Sequence, residues 1–134
     1  MAKYPHMLSE DVVIWERFLE KYGSLYNSFA YDVHVGEGLR DVEGLSAEHK
    51  YASMELIYKR IDVIGMLGPE THIIEVKPSA GISAIGQVFC YEVLYRRDFK
   101  IAGVIKKVIV TDHLWPDHEF LFKTFDILCY RASD

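Results

Sequence analysis

Glu75-Val76-Lys77 sets a carboxylate and an ammonium two residues apart, and Asp62 lies upstream of them across the run Leu67-Gly68-Pro69-Glu70. Side chains two apart in a strand point to the same face, so Glu75 and Lys77 project together. Gly-Pro is turn chemistry, and a hairpin closed there places Asp62 opposite the Glu75 to Lys77 region. Cross-strand neighbours are roughly 4.5–5.5 Å apart at Cβ, so two carboxylates and a lysine converge on one patch. Hydrolysis of a phosphodiester uses such a set. A hard cation polarises the phosphate and lowers the pKa of the attacking water. Mg²⁺ takes one or two carboxylates together with water and substrate oxygens. Asp62 and Glu75 are therefore the candidate ligands of Mg²⁺ or Mn²⁺, and Lys77 the group that orients the water or stabilises charge developing on the phosphate. Taken alone, the trio also fits a solvent-facing salt bridge. Its surroundings favour chemistry, because Asp62 lies among Ile61, Val63 and Ile64 and Glu75 follows Ile73-Ile74. Charges there are costly unless paired or coordinated.

The elements that must position this trio are legible as hydrophobic periodicity. Val12, Trp15, Phe18, Leu19 and Tyr22 recur at helical spacing after Ser9, a candidate N-cap followed by Glu10 and Asp11, and Gly23 ends the helix. Phe29, Tyr31, Val33 and Val35 alternate with Ala30, Asp32 and His34, which predicts a strand over 28–35 with the first set on one face. Residues 36–53 read as a long loop, with one helical turn near Ser46 to Lys50. Leu56 to Met66 and His72 to Lys77 are the hairpin strands, the second ended by Pro78. A helix is expected from Ser79 to Arg97, with Ile85, Val88, Phe89, Glu92 and Tyr95 at helical spacing. A strand at Val104 to Thr111, a short helix at Asp117 to Phe125 and a strand at Asp126 to Arg131 complete an α-β-β-β-α-β-α-β order.

The 134 residues suit a single domain over 1–134, and half of them are hydrophobic. The start, Met1-Ala2-Lys3-Tyr4-Pro5-His6, has no apolar leader, and no run approaches a membrane span. A cytoplasmic protein without a membrane partner is the expectation. Cys90 and Cys129, each within an apolar segment, read as reduced core thiols. The net charge of −5 argues against a protein that relies on bulk attraction to nucleic acid. It does not exclude an enzyme whose metal site is itself acidic. Asp112, His113, Asp117, His118 and Glu119 read as a solvated turn rather than a second metal site, and His34, His49 and His72 as surface residues. The pairs Lys59-Arg60, Arg96-Arg97 and Lys106-Lys107 are ordinary surface charge or phosphate contacts.

Tyr58-Lys59-Arg60-Ile61-Asp62-Val63-Ile64 and Ile73-Ile74-Glu75-Val76-Lys77 together resemble the hairpin of the PD-(D/E)XK nuclease superfamily, which carries D…ExK. Gln87-Val88-Phe89-Cys90-Tyr91 resembles the Q-x-x-x-Y motif of its RecB-like branch, and Gln87 and Tyr91, at i and i+4, share a helix face. Two features depart from the pattern: Ile61 stands where the eponymous proline would be, and the histidine motif of RecB-type exonucleases is absent. The resemblance implies an α/β, restriction-endonuclease-like α-β-β-β-α-β core with a mixed, mainly antiparallel sheet flanked by helices. It implies a Mg²⁺- or Mn²⁺-dependent deoxyribonuclease, with the Val76 carbonyl joining Asp62 and Glu75 at the metal and with Gln87 and Tyr91 supporting the site. It also implies a glutamate from the first helix, for which Glu16, at the edge of the apolar face, is favoured over Glu20. Small undecorated domains of this kind resemble those of phages and archaeal viruses, which would place the protein in a host cytoplasm. Limited surface for gripping a duplex implies a homodimer. Two rivals remain: an inactive nuclease-fold protein that binds nucleic acid or protein, and an interaction module whose hairpin carboxylates sit apart or fully exposed.

Overall fold

A computed structural model of the chain describes Tyr4, residues 6–37 and residues 59–133, with Lys59 as backbone alone. The long loop, its helical turn, His49 and the expected strand start at Leu56 lie outside the described residues. In chain order come α1 (Ser9–Tyr22), β1 (Ser28–Val35), β2 (Lys59–Leu67), β3 (Glu70–Ser79), α2 (Ile82–Asp98), β4 (Ile105–His113), α3 (Pro116–Thr124) and β5 (Ile127–Arg131). The five strands form one sheet in sequential order. β1 and β3 each pair antiparallel with β2, whereas β4 runs parallel to both β3 and β5. The sheet is thus evenly mixed rather than mainly antiparallel. α2 and α3 are the crossovers that parallel neighbours require. Among the described residues no helix is long and apolar enough to cross a membrane.

α1 covers one face. Its Ile14, Trp15 and Phe18 are buried against Val63, Ile74, Val76, Val108 and Val110. Burying side chains of this size stabilises by roughly 1.5–3 kcal/mol each. α2 covers the other face with Ala84, Val88 and Tyr91, and α3 adds Phe122. Ser9 is the first helical residue rather than the cap. Leu8 holds the cap position without a side-chain bond, so the acidic first turn is what favours the helix start. The β2–β3 turn is Gly68-Pro69, and Gly68 takes the positive φ of +59° that such a turn requires.

Three expectations about faces and ends change. Phe29 and Tyr31 pack on the α1 side, but Val33 and Val35 join the α2-side cluster. Val63 and Ile61 in the paired strand divide the same way. The reversal coincides with Asp32, whose φ of +53° breaks the pleat opposite Asp62. Pro78 lies inside β3 instead of ending it, and α2 starts three residues later than expected, at Ile82. Finally, Phe89 and Cys90 are exposed on the outer side of α2, the Phe89 ring lying under the Lys107 ammonium at 4.6 Å. Cys129 is half-buried, and both thiols are free.

Candidate active site

Asp62 and Glu75 meet where the β2–β3 ladder gives way. Regular pairing runs from Leu67↔Glu70 to Val63↔Ile74. One step further the side chains take over: the Asp62 amide donates to Glu75 Oε1 at 3.3 Å, and the Val76 amide donates to Asp62 Oδ2 at 3.0 Å. Each carboxylate is therefore anchored by the backbone of the opposite strand, and backbone donors that the ladder would have used are satisfied. Pro78, with no amide to offer, is tolerated beyond this point for the same reason. Thr111 of β4 steadies the segment, its hydroxyl accepting from the Ala80 amide at 3.2 Å.

The carboxyl pair is largely withdrawn from water, with Glu75 buried and Asp62 half-buried. Glu75 is 4% exposed. Burial, then the neighbouring Asp62 charge, pushes its carboxyl up to about 9. Asp62 is also raised, chiefly by burial; the Val76 amide, His6 and Lys77 act in the opposite sense. A buried and a half-buried carboxyl within hydrogen-bonding reach call for a shared proton or a cation. Lys77, half-buried two residues on, adds positive charge towards Asp62, Glu75 and Asp11. The Tyr91 phenol is pushed up to about 12 by burial and then by the charges of Glu75 and Asp62, so it stays a hydroxyl. Gln87 lies one turn earlier on α2, with its Oε1 buried and without a partner among the described residues. The Val76 side chain belongs to the α1-side core while its amide faces Asp62.

The helix acid is corrected. Glu16 is exposed, and Glu20 is too, because the face of α1 that meets the sheet is Ile14, Trp15 and Phe18. Asp11, one turn before Trp15, is the α1 carboxylate whose charge acts on Asp62. Burial and Glu10 raise its own pKa, Lys77 and His6 oppose that rise, and its Oδ1 is buried without a partner among the described residues. Sequence reading had Asp11 only as a dipole residue. Its place in the first turn was visible, but the approach of that turn to the hairpin was not. His6 was missed altogether. Its Nε2 lies 3.1 Å from the Asp62 carbonyl oxygen, and a carbonyl only accepts, so Nε2 donates; Nδ1 is buried without a partner among the described residues. No signal in the sequence marked it, since it precedes every periodic element.

Other groups settle into structural roles. His72 is buried, not superficial: its Nε2 bonds Glu70 Oε1 at 3.0 Å and its Nδ1 faces the Tyr26 hydroxyl at 2.9 Å. Much of the basic surface is engaged by local acids, with Arg96 and Lys107 on Glu92, Arg97 on Asp98 and Arg60 on Asp32. Asp112 faces Arg17 at 3.7 Å. Among the described residues no group of three or more His, Cys, Asp or Glu side chains is arranged to hold a metal. The two-carboxylate donor set of Asp62 and Glu75 fits a hard cation that keeps water and substrate oxygens, which would take the place of the proton the pair otherwise shares. No family model matches the chain, and neither a curated protein nor a solved structure does.

Proposed function

We propose that the chain is a Mg²⁺- or Mn²⁺-dependent nuclease that hydrolyses phosphodiester bonds of DNA at Asp62, Glu75 and Lys77. The observation that carries this reading is the carboxylate pair, Glu75 buried and Asp62 half-buried, held across a hairpin by reciprocal amide bonds, with a lysine on the same strand as Glu75. Such a pair is an expensive way to make a salt bridge, and its burial and proximity run against the exposed interaction module. The sequential arrangement of α1, β1, β2, β3, α2 and β4 is the order expected of a restriction-endonuclease-like core.

Asp62 and Glu75 would hold the cation, with the Val76 carbonyl beside them. The bound ion supplies polarisation of the scissile phosphate and a lowered pKa for water. Lys77 would position the nucleophile and stabilise charge developing on the phosphate. Asp11 adds acidity on the α1 side, while Tyr91 and Gln87 line the α2 side as neutral hydrogen-bonding groups. The net charge of −5 favours one rival, a nuclease fold retained for binding alone.

Cleavage of labelled single-stranded, duplex and branched DNAs with Mg²⁺ or Mn²⁺ tests the proposal. The expected result is metal-dependent cutting that falls by about 10²-fold or more in Lys77→Ala, the scale of losing one transition-state donor. No cutting by the unaltered chain, together with no cation binding, would favour the binding protein. Equal cutting by both would remove Lys77 from the chemistry.

A further inference from the structure

The parallel half of the sheet ends beside the site. Lys77 of β3, Thr111 of β4 and Arg131 of β5 are lateral neighbours, so Arg131 lies two strand spacings, about 10 Å, from Lys77 along the sheet edge. Ser79 and His113 pair two residues further on, about 7 Å beyond. An open cavity of about 420 Å³ is lined there by Ser79, His113, Leu114, Trp115 and Arg131. Through Leu114 and Arg131 it adjoins a second cavity of about 510 Å³, which adds Lys21, Tyr22 and Tyr130 and one acid, Glu119. Trp115 is 65% exposed, whereas the chain's other tryptophan, Trp15, is fully buried. The groove combines cationic side chains with aromatic faces, the composition that binds single-stranded nucleic acid by backbone attraction and base stacking. A chain with much of its basic surface already engaged by acids has little grip for a duplex. One exposed indole at the strand ends needs only an unpaired base.

We propose that this groove is a single-stranded DNA subsite, in which Trp115 stacks on an unpaired base next to the phosphodiester held at Asp62, Glu75 and Lys77. This rests on the nuclease reading and names its substrate class. The test is titration of the full chain in EDTA with a single-stranded 10-mer while tryptophan emission is followed. Stacking is expected to quench the exposed indole, and Trp15, buried, should not respond. Trp115→Phe should keep binding of a labelled 10-mer by anisotropy but lose the quenching. Trp115→Ala should bind roughly tenfold more weakly or worse. A 10-mer of abasic sites and a duplex of the same sequence should bind more weakly and leave the emission nearly unchanged.

The proposal is overturned if the 10-mer binds without quenching, if Trp115→Ala binds as tightly as the unaltered chain, if the duplex quenches equally, or if no single strand binds. The nuclease reading is judged separately by Lys77-dependent cutting. Cutting with a silent indole removes the groove alone. Quenching without cutting keeps the groove as a DNA site and removes the nuclease.

Discussion

At the scale of single residues, Glu75 decides how the protein responds to acidity. Its folded carboxyl is raised from an ordinary value of 4.5 to about 9, so the folded chain binds a proton that the unfolded chain releases. Stability from this group is complete below the ordinary value and declines as pH rises through the folded one. Between pH 5.5 and 8.5 in EDTA, urea denaturation is expected to show a loss on the order of 1–3 kcal/mol. Glu75→Gln, neutral throughout and still able to accept from the Asp62 amide, should flatten that slope and be the more stable protein at pH 8.5. Equal slopes would mean that Glu75 ionises freely in the folded state. The residue types Asp, Glu and Lys were readable in the sequence because their spacing fits a hairpin. His6 was not, because its role arises from one contact with a carbonyl 56 positions away.

At the scale of elements, the hairpin had to reach α1 as well as fold on itself. Gly65 of β2 shows how closely it meets the segment between α1 and β1: a Cβ there would stand 2.8 Å from the Tyr26 ring and 3.3 Å from the Ile74 methyl. Tyr26 is itself pinned by the buried His72, so the ring has little freedom to yield. Gly65→Ala is expected to destabilise by about 1–3 kcal/mol, the range of overpacking, read as a lowered urea midpoint with unchanged slope. An unchanged midpoint would show that the ring moves aside. Periodicity announced α1, the hairpin and α2, since a repeat of 3.6 or 2 is written in consecutive residues. It missed the reversal at Asp32 because one positive φ inverts a face without altering the alternation. It placed the helix acid at Glu16 because a helical wheel ranks positions around an axis and carries no information about what lies beyond the helix end.

At the scale of the molecule, the pair and its proton link cation binding to folding. A cation bound only by the folded chain adds RT ln(1 + [L]/Kd), about 2.7 kcal/mol at a hundredfold excess over Kd. Mn²⁺ should raise the melting temperature by about 3 °C or more at millimolar concentration. The rise should be larger at pH 8.5 than at pH 6, because the ion displaces the proton; thermal scans of the unaltered chain and of Asp62→Asn at both values measure it. A rise that is the same in Asp62→Asn would place the ion elsewhere.

The seam between the two halves of the sheet also sets an order of events. The β2–β3 hairpin closes through a two-residue turn and can form within microseconds, whereas the parallel pairing of β3 with β4 waits for α2 to cross over. Asp62 and Glu75 thus meet first in water, where their repulsion is screened. The cost of excluding water falls on the later step, when α2 brings Tyr91 down beside them. Docking of α2 is therefore the step at which the pair comes to need a proton or a cation.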